Sequence, residues 1–271
     1  MRRLRKADFT GRWLFWGLVA SLLVACATTP ENRLDPETAV HDAAKLQKIG
    51  ESHLAAGNYA IALKYLTAAE AKGHDTPELY YDLALAYRGR GFTEQALVYL
   101  RKAISLRPDY PEAHNALGAL LAEKGLIDEA IREFTTALND PFYETPHYAA
   151  YNLGNLYYRQ GNYTKAEEYF RQALQLAPNY AQAHLQLGRV LENRGDKKGA
   201  FSEYKDAVAY APQWAEAHFH YGRLCNHFGD HVCARYSFEQ VIKLAPESEM
   251  ATAARNYLKQ LGATYPGGIG Q

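Results

Sequence analysis

The chain has little cysteine and no excess of either charge. Three cysteines in 271 residues exclude a scaffold built from disulfides. Lysine and arginine number 30, as do aspartate and glutamate, and this balance argues against a dedicated nucleic-acid-binding protein, which carries a basic excess. An apolar run from Trp13 to Ala25 is shorter than the roughly 20 residues of a membrane-spanning helix. Hydrophobic residues nevertheless make up 48% of the chain, which predicts a folded protein.

The first residues have the order of a secretory signal. Basic residues precede the apolar run, and Leu23-Val24-Ala25-Cys26 ends it. This order predicts a signal peptide over residues 1–25. The last four residues resemble the lipobox of bacterial lipoproteins, and the resemblance implies cleavage before Cys26 and a lipid on its thiol. An ordinary signal peptide or a signal anchor that contains a cysteine by chance is the alternative.

The residues after Cys26 carry the next expectations. Ala27 stands where, in lipoproteins of enteric bacteria, an aspartate causes retention in the inner membrane. The resemblance therefore implies a lipid anchor in the outer membrane, with the folded body in the periplasm. Residues 26–42 contain Pro30 and Pro36 and show no apolar period, so we expect a tether there. Without residues 1–25 the chain has 25 basic and 29 acidic residues, a net charge of −4.

The rest of the chain repeats itself with a period near 34 residues. Glycines recur at intervals of 34, 34, 36, 34 and 34 residues, at Gly57, Gly91, Gly125, Gly161, Gly195 and Gly229. An alanine follows each glycine by five residues, at Ala62, Ala96, Ala130, Ala166, Ala200 and Ala234. A bulky residue stands four places further on, and a small residue stands seven places before each glycine. This pattern resembles the tetratricopeptide repeat, a helix–turn–helix unit.

The period predicts an all-α superhelical solenoid of six tetratricopeptide repeats with a C-terminal capping helix. Glycine permits the turn inside each repeat, and proline ends the second helix. We expect the small residue of the first helix to face the alanine of the second, with the bulky residue beside them. Residues 249–271 are predicted to be the capping helix and a flexible tail. The repeats are assigned to residues 43–248, as 43–76, 77–110, 111–146, 147–180, 181–214 and 215–248.

No motif for catalysis is present in the sequence. It has no glycine-rich phosphate loop and no HExxH helix, so we expect a protein that is not an enzyme and needs no cofactor or metal. His114, His184 and His218 occupy the fourth place of their repeats, which normally holds an aromatic packing residue, and we expect them in the core. Glu167 and Glu168 are expected to be surface charges on the solvent face of a second helix.

Two cysteines flank the turn of the sixth repeat. Cys225 and Cys233 lie on helices that pack together, and close thiols outside the cytoplasm oxidise. A disulfide between them is therefore one interpretation, and buried free thiols are another. A zinc site is the third, because His220, His227 and His231 lie nearby, although the spacing matches no zinc signature.

In tetratricopeptide arrays the first helices line the concave surface through places 2, 5, 9 and 12. These places, with the neighbouring Asn152, are rich in tyrosine, asparagine and arginine, which suit recognition of an extended protein chain. Packing of the tyrosines between repeats is the alternative. The predicted partner-binding residues are Tyr81, Asn115, Tyr148, Tyr151, Asn152, Asn155, Tyr158, Arg189, Phe219 and Arg223.

The lipobox and the six repeats together resemble the type IV pilus biogenesis and stability lipoproteins, which are pilotins of the pilus secretin. The likeness is most specific where Asp140-Pro141-Phe142-Tyr143 precedes Tyr151-Asn152-Leu153-Gly154. It implies a protein that binds secretin subunits and promotes their localisation and multimerisation. Two hypotheses compete with this one. The first is a lipid-anchored scaffold for cell-wall synthesis or polysaccharide export, and the second is an enzyme accessory with zinc in repeat six.

Overall fold

The computed structural model describes residues 41–262, which form thirteen α-helices. Twelve of them form six consecutive pairs, and a single helix follows, as the repeat pattern predicts. The two helices of each pair pack closely, and each second helix also packs on the first helix of the next pair. The pairs are α1 (Ala43–Ala55) with α2 (Tyr59–Ala71), α3 (Pro77–Gly89) with α4 (Thr93–Leu106), α5 (Pro111–Glu123) with α6 (Ile127–Asn139), α7 (Pro146–Arg159) with α8 (Tyr163–Leu176), α9 (Ala181–Asn193) with α10 (Lys197–Tyr210), and α11 (Ala215–His227) with α12 (His231–Leu244), and the single helix is α13 (Glu249–Gln260).

The turn inside each repeat depends on its glycine. All six repeat glycines have positive φ angles between 72° and 84°, a left-handed conformation that side-chain-bearing residues rarely adopt. The next helix then begins with a polar cap in several repeats. For example, the side chains of Asn162, Asp196 and Asp230 accept hydrogen bonds from backbone N–H groups three residues ahead.

A glycine on the first helix, seven residues before the turn glycine, provides room for a ring. A Cβ atom on Gly154 would lie 2.7 Å from the ring of Phe170, and one on Gly188 would lie 2.5 Å from the ring of Tyr204. The bulky residue itself therefore lies against the small residue of the first helix. In the first repeat the alanine also faces the small residue, since a Cβ atom on Gly50 would lie 3.5 Å from the carbonyl oxygen of Ala62. The alanine, such as Ala166, is buried in the same helix–helix interface.

The three fourth-place histidines are buried, which confirms the expectation from their register. Each Nε2 atom is close to a backbone carbonyl, which can only accept a hydrogen bond, so Nε2 donates. The acceptor belongs in each case to the proline that follows a second helix by two residues. These bonds tie the connecting loop to the next repeat, and they join His114 to Pro108 at 2.8 Å, His184 to Pro178 at 2.9 Å and His218 to Pro212 at 3.0 Å.

The two-residue expansion lies in the loop between α6 and α7. The backbone N–H of Phe142 donates to Oδ1 of Asp140 at 2.8 Å, which forms a tight turn. Tyr143 is buried against Ala137 and Ala149 and anchors the loop. Phe142 is 87% exposed, so the loop presents this ring to solvent.

The last helix covers the apolar end of the stack. Its Tyr257 ring stacks on Phe238 with centroids 4.7 Å apart, and Leu258 is buried in the same cluster. Ser248 begins the helix by accepting a hydrogen bond from Ala251 N–H at 3.1 Å. Within residues 41–262, every helix falls short of the length and apolar character needed to span a membrane.

Candidate partner-binding site

The first helices of the pairs lie on the inner side of the solenoid. Helices α1 and α3 contact each other, as do α5 and α7, α7 and α9, and α11 and α13. In a curved stack, the layer whose neighbours approach most closely is the inner one. We therefore define the concave surface as the solvent-facing side of α1, α3, α5, α7, α9 and α11.

Aromatic rings cluster on the concave surface at the fourth repeat. The ring of Tyr180 lies 5.6 Å from that of Tyr148 and 5.2 Å from that of Tyr151, both edge to face. His147 completes the cluster, with its ring 4.2 Å from that of Tyr148. Tyr148 is 44% exposed. Tyr151 is half-buried and also contacts Phe170 of the core, so it is partly a packing residue.

A second group of tyrosines continues this surface toward the second repeat. The rings of Tyr81 and Tyr110 lie 5.3 Å apart, and Tyr143 lies close enough to affect the ionisation of Tyr81. Burial, followed by the charges of Tyr143, Glu112 and Asp82, raises the pKa of Tyr81 to about 12. Tyr110 and Tyr143 are buried, and Tyr81 is half-buried. Tyr81 is thus only partly accessible to solvent, and its ring contacts that of Tyr110.

The prediction missed Tyr180 as part of this surface, and it missed Tyr110 and Tyr143 as buried rings next to it. Tyr110 and Tyr180 occupy the last place of their repeats, as Trp214 does in the fifth repeat. An aromatic residue recurring at that place was the signal that could have identified them. Tyr143 lies in the expanded loop, where the repeat register gives no position for it.

The polar residues of the concave surface form a ladder between neighbouring first helices. Most rungs join residues 35 positions apart, so each joins one place of a repeat to the next place of the following repeat. The expansion lengthens one of these intervals to 37. The rungs are Gln47 to Asp82 at 2.9 Å, Arg88 to Glu123 at 2.8 Å, Asn152 to Asn115 at 3.0 Å, and Asn193 to Tyr158 at 3.2 Å.

The two predicted arginines pair with acids of adjacent repeats. Arg189 lies 3.4 Å from Glu216, and Arg223 lies 2.9 Å from Glu192. Burial, with the charges of Arg189 and Arg223, lowers the pKa of His220 between them to about 4. The positive charges at this end of the surface are therefore compensated within the protein.

The remaining predicted residues divide into two kinds. Asn155 is half-exposed on α7, and its amide makes no side-chain hydrogen bond within residues 41–262. Phe219 packs edge to face on Phe238 and Tyr257, far along the solenoid from the fourth repeat. The structure thus places Asn155 near the tyrosine cluster and Phe219 at the interface with the capping helix.

Glu167 is not a plain surface charge. It is 6% exposed on α8 and forms ion pairs with Arg171 and Arg194. The prediction that it lies on the solvent face is wrong, because the turn of the next repeat places Arg194 over it. Glu168, one residue further, is exposed as expected.

The sixth repeat contains a disulfide in this structure. It joins Cys225 and Cys233, whose Cα atoms are 5.7 Å apart. Bridged sulfur atoms cannot act as thiolate ligands, so this arrangement favours the disulfide interpretation over the zinc site.

One other group of side chains in the described residues has the spacing of a cation site. His184, Glu203 and Asp206 place their ligand atoms within 4.8 Å of one another. Nε2 of His184 donates to the Pro178 carbonyl, and Nδ1 of the protonated ring donates to Glu203, so hydrogen bonds within the protein account for this contact without a cation. This group is explained as packing of the fifth repeat.

The prediction of lipidation at Cys26 lies outside the described residues. So do the signal peptide over residues 1–25, nearly all of the tether and the tail after Gly262. These remain predictions from the sequence.

Comparison with known proteins identifies tetratricopeptide repeats in three segments. Models described as tetratricopeptide or TPR repeat match residues 48–91, 85–125 and 147–180. The human protein named tetratricopeptide repeat protein 13 is 29% identical over 50% of this chain and 16% of its own length. The type IV pilus assembly protein PilF of Pseudomonas aeruginosa is 28% identical over 44% of this chain and 62% of its own length. The chain thus spans less than two thirds of either relative.

Two solved structures share this fold over most of their length. The structure of Pseudomonas aeruginosa PilF has a TM-score of 0.72 at 22% identity, over 79% of this chain and 97% of that one. The structure of PilW, described as a widely conserved type IV pilus biogenesis factor, has a TM-score of 0.69 at 22% identity, over 79% of this chain and 98% of that one. The chain is accordingly a tetratricopeptide-repeat protein with structural similarity to both.

Proposed function

We propose that this tetratricopeptide-repeat protein is an outer-membrane lipoprotein that binds secretin subunits and promotes their localisation and multimerisation for type IV pilus biogenesis. It acts by binding and not by catalysis. Its lipid is attached to Cys26, and residues 26–42 tether the solenoid in the periplasm.

The observation that carries this proposal is the similarity to a pilus assembly protein. PilF of Pseudomonas aeruginosa shares 28% identity with this chain, and the alignment covers 62% of PilF. The lipobox at Leu23–Cys26 adds an independent argument, because a secretin forms its pore in the membrane to which such a lipid would attach the protein.

The concave surface is suited to bind an extended protein segment. A solenoid presents a long groove whose shape is fixed by repeat packing, so little conformational entropy is lost from the groove on binding. Half-exposed tyrosines offer large ring areas, and Asn155 offers an amide that can pair with a backbone group.

The lipid would need additional acyl chains for stable anchoring, since one chain gives only marginal membrane binding.

A deletion strain tests the proposal. We expect loss of surface pili and of heat-resistant secretin multimers, with secretin monomer still present. Normal multimers in the deletion strain would contradict the proposal. Pull-down from crosslinked envelopes identifies the partner directly, and capture of a cell-wall or polysaccharide-export component in place of a secretin would favour the scaffold hypothesis.

The anchor is tested separately with Cys26→Ala. We expect the native protein to fractionate with outer membrane and to incorporate labelled palmitate, and the variant to be soluble or retained by its uncut signal. Thr28→Ala is the matched control, because it changes a residue close to Cys26 and leaves all three cysteines in place. A soluble periplasmic native protein would contradict the lipid anchor.

A further inference from the structure

The fourth-place histidines of repeats three and five differ from that of repeat six at one ring nitrogen. Nδ1 of His114 lies 2.6 Å from Oε2 of Glu133, and Nδ1 of His184 lies 2.8 Å from Oε2 of Glu203. Each glutamate follows its histidine by 19 positions, and the residue at that place in repeat six is Ser237. Repeats three and five therefore have a carboxylate where repeat six has a hydroxyl group.

The two partners of His184 require a proton on each ring nitrogen. Nε2 lies 2.9 Å from the carbonyl oxygen of Pro178, and carbonyl and carboxylate oxygens both only accept hydrogen bonds. The ring that makes both bonds is therefore the cationic form. Burial lowers the pKa of His184, but the hydrogen bonds to Glu203 and Pro178 outweigh burial and raise the pKa above its ordinary value of 6.5.

Loss of the proton from His184 leaves one N–H group for two acceptors. A carboxylate is the stronger acceptor, because hydrogen bonds to ionised groups are roughly twice as strong as neutral ones. The remaining proton therefore stays on Nδ1 beside Glu203, and the lone pair of Nε2 then faces the oxygen of Pro178. Two acceptors repel each other, so the bond between this loop and α9 is broken.

The histidine of repeat six has no such competition. Nε2 of His218 donates to the carbonyl oxygen of Pro212 at 3.0 Å, and Nδ1 has no hydrogen-bond partner in the described residues. Burial lowers the pKa of His218, so the neutral ring with its proton on Nε2 makes this bond. The corresponding loop of repeat six is therefore held without a charged imidazole.

The loop that contains Pro178 also carries part of the tyrosine cluster on the concave surface. Tyr180, two residues after this proline, lies edge to face with Tyr148 and Tyr151. The bond from Nε2 of His184 joins this loop to α9. A change at the imidazole is thus transmitted to the ring of Tyr180 through two residues of backbone.

Other titratable groups around this loop do not reproduce the change at His184. Asp206 and Tyr210 face the imidazole from α10, and the charge of Asp206 favours the protonated ring. His147 lies against Tyr180 from α7, and burial lowers the pKa of His147, so this ring is neutral above 6.5. Burial raises the pKa of Tyr180, which therefore stays uncharged.

We propose that His184 holds the loop carrying Tyr180 against α9 only while the imidazole is protonated, and so makes the tyrosine cluster sensitive to pH. His114 has the same arrangement and holds the loop that carries Tyr110. His218 holds its loop in the neutral form and is insensitive. The inference concerns this chain alone and does not depend on the identity of the partner.

Nitrogen NMR of the histidine-labelled full chain locates the remaining proton. We expect His184 to carry protons on both ring nitrogens at about pH 6 and on Nδ1 alone at about pH 9, which is below the ordinary tyrosine pKa. His218 is the internal comparison, with its proton on Nε2 at both values. The His184 signals are assigned by their absence in His184→Phe. A neutral His184 with its proton on Nε2 would overturn the inference, because the loop would then stay bound.

Hydrogen exchange measures the release of the loop in the same samples. After correction for the intrinsic rates, backbone N–H groups of residues 177–184 should be about fivefold less protected at the higher pH, because one hydrogen bond is lost. Residues 211–218 are the internal control and should keep their protection. Equal changes in the two segments would also overturn the inference.

Glu203→Gln removes the charge that keeps the proton on Nδ1. Glutamine has the shape of glutamate, and its amide N–H donates to Nδ1 of the neutral ring, so Nε2 keeps its bond to Pro178. We expect residues 177–184 of this variant to be equally protected at both pH values. Glu168→Gln, at an exposed position on α8, is the matched control and should keep the native pH dependence. A native pH dependence in Glu203→Gln would count against the inference.

Discussion

The side chain beside Nδ1 determines whether the pKa of a buried fourth-place histidine is raised or lowered. Nδ1 of His184 lies 2.8 Å from Glu203, so both ring nitrogens donate to acceptors, and these bonds outweigh the effect of burial and raise the pKa of His184. The sixth repeat has Ser237 at the glutamate place. Nδ1 of His218 and Oγ of Ser237 are buried without a hydrogen-bond partner in the described residues, and burial lowers the pKa of His218.

Glu203→Ala should lower the free energy of unfolding by about 1–3 kcal/mol, because it leaves a buried imidazole N–H without an acceptor. Since the folded-state pKa of His184 is raised, this stabilisation is present below the ordinary value of 6.5 and is lost as pH rises through the folded value. Urea denaturation in that acidic range measures the loss. Ser237→Ala is the control, because it removes a buried hydroxyl without a partner and should not destabilise. An unchanged urea midpoint for Glu203→Ala would contradict this account.

Asp82 provides a second prediction at the scale of single residues. Here burial itself raises the pKa, whereas for His184 hydrogen bonds raise it against the effect of burial. Burial first, and then the charges of Glu51 and Glu78, raise the pKa of Asp82 from 3.8 to about 7. The folded chain therefore keeps a proton that the unfolded chain has released, and stability falls as pH rises from 3.8 to about 7. Asp82→Asn does not titrate, so it escapes this fall.

We expect Asp82→Asn to be about 1–2 kcal/mol more stable than the native protein above neutral pH, less than the full shift because the site retains some solvent. Near the ordinary aspartate pKa the two proteins should have similar stability. Urea denaturation across this pH range measures the difference. Glu239→Gln, on an exposed outer position, is the comparison, and a pH-independent difference for Asp82→Asn would refute the assignment.

At the scale of the helix, contacts within a repeat and contacts between repeats are made by different means. Within a repeat, a ring of the second helix occupies the space left by a glycine of the first, such as Phe170 against Gly154. The first helices are joined on the concave side by the polar ladder, for example by the amides of Asn152 and Asn115. Polar residues of the groove therefore stabilise the curvature of the solenoid as well as lining its surface.

The turn between α11 and α12 has a covalent constraint in addition to its glycine. We predict one intramolecular disulfide between Cys225 and Cys233, eight residues apart in sequence. Closing so short a segment should contribute on the order of 2–3 kcal/mol, which reduction would remove. Mass spectrometry of non-reduced peptides detects the bridge, and denaturation with and without reductant measures its contribution. Alkylation of both thiols without prior reduction would show that the bridge is absent.

At the scale of the whole molecule, the solenoid separates residues that hold it together from residues available to a partner. Tyr148 contacts the rings of Tyr180 and His147 and is 44% exposed. Tyr151 rests on Phe170 of the core. Tyr148 is therefore the better probe of binding, because truncating Tyr151 also removes packing.

We expect Tyr148→Ala to weaken partner binding by at least about 2 kcal/mol, roughly 30-fold, as truncation of aromatic anchors commonly does. Its melting temperature should barely change, whereas Tyr151→Ala should also lower the melting temperature. Pull-down from crosslinked envelopes and thermal unfolding measure the two effects, and Glu168→Ala on the outer face is the control. A folded Tyr148→Ala protein with normal binding would direct attention to the expanded loop, where Phe142 is 87% exposed.

Much of the fold could be read from local chemistry. Left-handed glycines, helix-ending prolines and apolar residues at helical spacing act within a few residues of one another, so their period identified six helix pairs and a cap. The burial of His114 and His184 followed from the same register.

What depends on contacts between repeats was decided only by the tertiary structure. Glu167 is buried because Arg194 of the next repeat reaches it. Tyr110 and Tyr180 contact Tyr81 and Tyr151 because the last residue of a repeat lies against the first helix of that repeat. Arg189 and Arg223 are predicted from the sequence to contact a partner, yet in the structure each pairs with an acid of another repeat. The physical reason is that charge compensation and burial depend on distances in space, and the repeat period does not specify which side chains face each other across two repeats.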